Sequence, residues 1–534
     1  MAHRPALSTS IVVISTALVI SACGGGDSGD GGSGDAATVE GQEFVAVLAT
    51  DPGNLDPLMS ASTAGRQLFS LYYDTLVYAQ DDGTIVSGLA SSWEETPTSV
   101  TFTLNEGITC ADGSPFTATD AADNIAFVAD PENGSPLLGV LVQPGTTTSA
   151  DDAAGTVTVT TPQPDGLLLA EMSGLFMVCR SGLDDHDSVA SAGAGTGPYE
   201  LTEAVGNDHY SFAPRPDYTW GPDGQTMAGE GHPSGIEVRI VPNQGTIANL
   251  LLSGEVNYAS VRGQDAQRVP DSFEAIETPV PAGELWFNEN PARPTADPAV
   301  REALVTGVDR EAFATVATGG TGREVSSLIT LAPNPCGASS DLAGSLPEVD
   351  QDRARQLLDD AGWTAGADGI RAKDGQPLSL TLVYDALGLS SRSSGIEYLA
   401  TQWQELGVDV DVQVMPDAQI SEVLFGTGEW DVTATPFTFN LPSQLVGFVS
   451  GPASPEGANF AGMDNPAYTA AVAEALPLVG EESCPAWNQA ERALVEAYNP
   501  APMFEDVERT FYDKAEVTAP GLQIWPTSIR MLGN

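Results

Sequence analysis

With 534 residues, 42% of them apolar, the chain is too long for a single hydrophobic core and too apolar to be disordered, so two or three domains are expected. Its 73 acidic residues against 20 basic ones give a formal charge of -53, which excludes nucleic acid and anionic lipid head groups as electrostatic partners. Lys373 and Lys514 are the only lysines, as in a strongly acidic, solvated surface; adaptation to salt is the more specific reading.

Met1 to Arg4 carries positive charge, residues 11–20 are a short apolar run, and Ile20, Ser21 and Ala22 lead into Cys23. The run is too short to span a bilayer, so residues 1–22 read as a signal peptide. Small residues directly before a cysteine resemble a bacterial lipobox, which makes Cys23 the lipid attachment site. Residues 23–40 are then a tether rich in Gly, Ser and Asp, with a reach of roughly 20 to 25 Å. Cys110, Cys179, Cys336 and Cys484 remain, an even number in an exported chain, so two disulfides are expected with three pairings open. There is no CxxC, and only His186, His209 and His232 survive signal removal, so no metal site is expected.

Phe44 to Leu48 alternates as a strand and runs into Asn54-Leu55-Asp56-Pro57, followed by helical spacing from Arg66 to Tyr73. Gly88-Leu89-Ala90-Ser91-Ser92-Trp93-Glu94 precedes an alternating strand through Val100, Phe102 and Leu104. Asp112-Gly113 is a turn ahead of Ser114-Pro115-Phe116-Thr117, and Thr117 with Asp120 forms a capping box for a helix through Ala121, Ala122, Ile125 and Ala126. A strand at Val157 and Val159 leads on to Gly195-Thr196-Gly197-Pro198-Tyr199. Pro198 forbids the helix N-terminus that a phosphate loop needs, and no lysine follows, so these glycines do not mark a nucleotide site. Strand patterns at 210–212 and 236–241 and a helical pattern at 247–252 follow.

The stretch 284–288 reads as a strand. Asp297 then caps a helix with Pro298 at its first position and Val300, Ala303, Leu304, Gly307 and Val308 on one face, and a second helix starts at Asp309. Ala354, Leu357, Leu358 and Ala361 share a helix face that ends at Gly362-Trp363. After an Asp374-Gly375 turn, the strand 378–384, the helical positions Ile396, Leu399, Ala400 and Trp403, and the strand 408–414 make a βαβ crossover. G-x-S-x-G, HExxH and G-x-x-x-x-G-K-[ST] are all missing, so no catalytic residue, enzyme activity or cofactor is assigned. His209 lies in an alternating strand, and Asp184-Asp185 and Glu481-Glu482 lie in polar, solvated stretches.

Several of these runs match one pattern in order. They are Asn54 to Pro57, Leu89 to Glu94, Asp112 to Thr117, Gly195 to Tyr199, Asn288 to Arg310 and Ala354 to Trp363. Together they resemble the extracellular solute-binding proteins of the peptide/nickel family, which serve ABC importers, over residues 44 to 530 or so. Cys110 and Ala111 depart from the pattern, standing where relatives often have an aromatic residue and a histidine.

The resemblance implies an α/β, two-lobed periplasmic-binding-protein-like fold, type II, of the large class with an extra subdomain in the first lobe. Lobe I would comprise 41–86, 196–282 and 505–534, its extra subdomain 87–195, and lobe II 283–504. Cys110 would then pair with Cys179, and Cys336 with Cys484, because bridges across the lobes would obstruct closure. The implied function is a lipid-anchored monomer on the outer face of the cytoplasmic membrane. It captures a small solute, peptide-like or another polar organic molecule, and delivers it to an ABC permease and ATPase complex. A sensing or adhesion lipoprotein of the same fold, or a binder of a metal chelate, is the alternative.

Candidate ligand-binding residues are Leu58, Met59 and Tyr72 in the first lobe and Trp286, Asn288, Trp430, Phe437 and Phe439 in the second. Trp286 and Asn288 are expected to face the cleft, whereas Phe437 and Phe439 can wall a pocket or pack in the core. Peptide-binding relatives typically follow the strand at 429–432 with a Trp and an Asp that pairs with the ligand's ammonium group. Here Thr433 to Asn440 follow and no Asp appears until Asp464, so a free amino terminus would be buried without a counter-charge.

Overall fold

The computed structural model describes residues 37–325, 327–340, 342, 344–385 and 390–533. The predicted signal peptide, Cys23 and most of the tether lie outside the described residues. The tether's last residues are held rather than free: Val39 N–H donates to Met531 O at 2.9 Å, and a Glu40 carboxylate oxygen accepts from Gly231 N–H at 2.7 Å. Among the described residues no helix is long and apolar enough to cross a membrane.

Two mixed sheets organise the chain. The first has seven strands in the order Glu274–Pro281, Glu505–Tyr512, Tyr258–Val261, Phe44–Leu48, Ile236–Ile240, His209–Pro214 and Tyr199–Val205. Phe44–Leu48 lies parallel to both of its neighbours, which requires crossover connections, and helix Gln244–Ser253 supplies the one into Tyr258–Val261. The second sheet has five strands, Asp409–Val414, Ser379–Tyr384, Val432–Thr433, Glu284–Phe287 and Pro500–Pro502. Its first two strands are parallel and joined by helix Ser390–Glu405, as the alternating valines and the helical 396–403 pattern predict. A smaller antiparallel sheet, Ala90–Thr96, Ser99–Leu104, Thr156–Thr160 and Thr147–Asp151, packs into the first lobe's core.

The cores follow this division. Buried residues from 285 to 504 form one cluster, and a second runs from Phe44 to Tyr258 and resumes at Ala515. Two chain crossings lie side by side between the sheets: Pro281 pairs with Glu505 in the first sheet, and Glu284 with Pro502 in the second. Between them Gly283 and the 503–504 stretch exchange backbone hydrogen bonds of 3.0 Å. A Cβ on Gly283 would stand 2.4 Å from the Phe504 ring, so the two crossings touch at a point only glycine permits. The disulfides Cys110–Cys179 and Cys336–Cys484 each lie within one of the two cores.

Local signals set the framework. Asp297 accepts from Ala299 N–H ahead of Pro298–Thr306, and Thr117 and Asp120 bond reciprocally at the start of Ala118–Ala129. The glycines of 195–197 serve close packing: a Cβ on Gly195 would lie 1.8 Å from Tyr72 O. Thr196 Oγ1 donates to the buried Asp74 carboxylate at 2.8 Å, which also accepts from Tyr78, Tyr218 and Trp220.

One first-lobe segment enters the second lobe. Gly166 N–H donates to Leu476 O and Gly480 N–H to Gly166 O, both at 2.9 Å. Among the described residues, Leu167 is the one buried member of the second-lobe cluster from outside 285–504. Four residues on, Ser443 Oγ donates to a Glu171 carboxylate oxygen at 2.8 Å.

Candidate functional site

A cluster of rings gathers at the ends of the second-lobe strands. Trp286 stands edge-on to Phe437 at 5.4 Å and to Phe460 at 5.7 Å, and Trp430 stacks on Phe460 at 5.8 Å. Phe437 lies nearly parallel to Phe439 at 6.3 Å; Phe448 is 5.4 Å from Phe439, and Phe425 is 5.4 Å from Phe460. Pairs at these separations gain about 0.5–1.5 kcal/mol each beyond area burial. Trp286, Trp430, Phe439 and Phe460 are buried, whereas Phe425, Phe437 and Phe448 keep partly open edges.

The structure therefore brings together Trp286, Trp430, Phe437 and Phe439, but only Phe437 among them has an edge open to a ligand. Trp286, 1% exposed, forms the floor of the cluster and does not face a cleft. Asn288 is likewise not a cleft residue. It is 4% exposed, its Nδ2 donates to Trp430 O at 2.9 Å, and its backbone N–H donates to Asp431 O at 2.9 Å, so it braces two strand ends. Phe425, Phe448 and Phe460 were not singled out from the sequence; the recurrence of phenylalanine between 425 and 460 is the signal that points to them.

Charge is sparse around these rings. Glu284 is buried and accepts from Phe437 N–H at 3.2 Å; burial pushes its carboxyl up to about 8 against the pull of that bond and of Arg392, so it is neutral at pH 7. Arg392 donates to the carbonyls of Asp385 at 2.7 Å and Ala282 at 2.9 Å, and also to that of Ala434, which ties the crossing to the strand ends. The Asp431 carboxylate accepts from Thr381 N–H at 2.8 Å, with Arg293 3.8 Å away. No acidic side chain stands between 433 and 440.

On the first lobe, the Asp56 carboxylate accepts from Leu58 N–H at 2.9 Å and lies 2.6 Å from His186 Nδ1, whose ring stacks on Phe127 at 4.1 Å. That network orders the loop. Leu58 is fully buried, with its carbonyl taken by Ser135 Oγ at 2.6 Å, so it is core and not a ligand contact; Met59 beside it is half-buried. Tyr72 is 2% exposed and packs between Tyr73 and Phe212, beside a cavity of about 180 Å³ that Cys110, Cys179 and Tyr199 also line. All of that lining comes from the first lobe, away from the second-lobe rings. Asp165 and Glu171, at the lobe junction, are both buried carboxyls pushed upward by desolvation.

Comparison with known proteins places this arrangement. The Nickel-binding periplasmic protein of Escherichia coli (strain K12) is 28% identical over 380 residues, covering 68% of this chain and 69% of its own. The Periplasmic murein peptide-binding protein MppA of the same organism is 25% identical over 521 residues, 91% of each chain. A substrate binding protein from Microbacterium hydrocarbonoxydans, crystallised with 4-hydroxybenzoate hydrazide, superposes with a TM-score of 0.74 at 26% identity over 92% of this chain and 100% of its own. These relatives are named as binding proteins. The sequence model for bacterial extracellular solute-binding proteins, family 5 Middle, matches residues 84–456. With that match across a two-lobed fold, the chain belongs to the bacterial extracellular solute-binding proteins of family 5, receptors that serve ABC importers.

Proposed function

We propose that the chain closes its two lobes on a small organic solute and presents it to an ABC permease and its ATPase, acting as a monomer without catalysis of its own. The observation that carries this reading is the paired crossing at 281–284 and 502–505, a narrow ribbon between two lobes whose cores are distinct apart from Leu167. Such a ribbon suits hinge closure, and an interdomain cleft is where solute pockets form. It also supports dividing the chain at 282/283 and 504/505, with 87–195 as the extra subdomain of the first lobe. The partly open edges of Phe425, Phe437, Phe448 and Met59 are the surfaces a solute would touch. Relatives are named for nickel, for murein peptide and for a complex with 4-hydroxybenzoate hydrazide, so small organic molecules are among the ligands of the fold.

The lipobox-like run before Cys23 supports anchoring by lipid to the outer face of the cytoplasmic membrane. Release of a Cys23→Ala variant from membranes is expected, and its retention would refute the anchor. Capture is tested by mass spectrometry of small molecules that co-purify from the native host. A bound solute is expected, together with loss of its uptake when the gene is deleted; unchanged uptake would count against import and for a sensing role.

A further inference from the structure

Resting on the solute-capture reading, the structure points to the class of solute. We propose that Arg66 is the anion anchor of the site and that the solute is a small carboxylate whose ring-bearing body lies against Phe425, Phe437 and Phe448.

Arg66 sits on helix Thr63–Phe69 of the first lobe and is half-buried. Its guanidinium stands 5.4 Å over the Phe176 ring and, among the described residues, makes one hydrogen bond, from Nη1 to Gly174 O at 2.8 Å. It forms no ion pair with any described carboxylate. Other arginines are provided for: Arg180, Arg323 and Arg371 each meet a carboxylate within 2.8 Å, and Arg215 donates to four carbonyls. In a chain of charge -53, a half-buried guanidinium with most of its fork unused is uncommon; among the described residues Arg310, whose bond goes to Pro347 O, is another, but it lies in the second lobe and stacks on no ring. Burial lowers its pKa only to about 10, so it is cationic at any physiological pH. A planar fork of N–H groups that has already lost much of its water is a receptor for a carboxylate, which it binds through two parallel charge-assisted hydrogen bonds.

Its position links it to the rings. Gly174, which holds Arg66, donates its N–H to Glu171 O at 2.9 Å, and Glu171 in turn accepts from Ser443 Oγ of helix Pro442–Val449, which carries Phe448. One cation of the first lobe and a ring cluster of the second thus flank the same junction. The acids near the rings are engaged or pushed toward their protonated forms: burial raises Glu284 to about 8 and also raises Glu171, the Asp431 carboxylate accepts from Thr381 N–H with Arg293 3.8 Å away, and 433–440 holds no acid. A ligand with an ammonium end would meet Arg66 with like charge; one with a carboxylate end and an apolar ring meets a partner at both ends.

The test uses the full chain and matched probes, benzoate, phenylacetate and phenylpropionate with their methyl esters, titrated by calorimetry into wild type, Arg66→Gln and Arg66→Lys. At least one acid should bind wild type about 30-fold more tightly than its ester, and that preference should vanish in Arg66→Gln and return in part in Arg66→Lys. Circular dichroism identifies any variant that fails to fold, and the acid-to-ester ratio in wild type is informative without a variant. Esters binding as well as acids, or a preference that survives Arg66→Gln, would overturn the proposal. So would failure of every acid to bind while a solute from the host does, which leaves capture itself standing; absence of any co-purified solute would instead sink the capture reading.

Discussion

Replacing Glu284 with Gln isolates one buried carboxyl and gives a stability change whose sign and pH range follow from the structure. Glu284 is 3% exposed, and burial moves its pKa from 4.5 to about 8. Below pH 4.5 the group is protonated in both folded and unfolded chains, and its contribution is fully present. Between 4.5 and about 8 the unfolded chain gives up the proton while the folded one keeps it, so stability falls as pH rises. Above about 8 the contribution is gone. At about 1.4 kcal/mol per pH unit, the interval amounts to on the order of 5 kcal/mol. Gln cannot titrate, yet its carbonyl still accepts from Phe437 N–H. Urea unfolding at pH 5, 6, 7 and 8, followed by tryptophan fluorescence, should show wild-type stability declining relative to Glu284→Gln across that range. Contributions of the same sign from Asp74, Asp165 and Glu171, also raised by burial, cancel in the difference. A difference that stays constant with pH would show that the folded protein holds Glu284 ionised, and the assignment of a neutral cluster would fall with it.

Two further outcomes are expected. Leu167→Ala removes a contact made across the lobe junction, worth about 2–5 kcal/mol if it is lost in full; because its flanks belong to the first lobe, the loss should fall on closure and not on the unfolding of either core, so small-angle scattering should show a larger radius of gyration at nearly unchanged melting temperature, and the opposite pairing of results would place Leu167 in folding rather than closure. Cys336→Ser with Cys484→Ser opens a loop closed over a sequence separation of 148, and Cys110→Ser with Cys179→Ser one of 69. The chain-entropy estimate gives about 5 and about 4 kcal/mol respectively, so the second-lobe pair should lower the denaturation midpoint more, and a peptide linking Cys110 to Cys336 in non-reducing digests would contradict both.

What could be read from the sequence was what neighbouring residues decide among themselves. Asp297 with Pro298 and Thr117 with Asp120 act over four residues or fewer, and each stands in the structure as its spacing predicts; the alternation from Val408 to Val414 marks a strand that forms, although Val412 and Val414 on it are exposed. Trp286 and Asn288 were misplaced for a related reason. Alternation assigns side chains to the two faces of a strand, but when both faces are covered it cannot separate core from cleft. Glu284–Phe287 is buried at all four positions, so the period carried no information about a ligand. Leu58 is taken into the core in the same way, and Tyr72, equally buried, lines the first-lobe cavity instead of the second-lobe ring cluster. Arg66 with Gly174, Asp56 with His186 and Glu171 with Ser443 are separated by 108, 130 and 272 residues, and no local pattern announces them.

The acidic surface and the cation at the junction act over different distances, and this makes the salt dependence of binding diagnostic. Surface carboxylates repel an approaching carboxylate through water, where a Debye length of about 10 Å at 0.1 M salt ends their influence. Arg66 acts at contact, from a half-buried site where screening ions do not enter. Raising salt should therefore weaken the repulsion more than the attraction. An aromatic carboxylate should then associate faster between 20 and 300 mM salt or so, with a dissociation rate that changes little, the reverse of ordinary electrostatic steering toward a charged patch. Stopped-flow quenching of tryptophan fluorescence reads both rates. An association rate that falls as salt rises would mean that surface cations, and not Arg66, guide the anion in. An unchanged one would mean that the ligand is neutral when it binds.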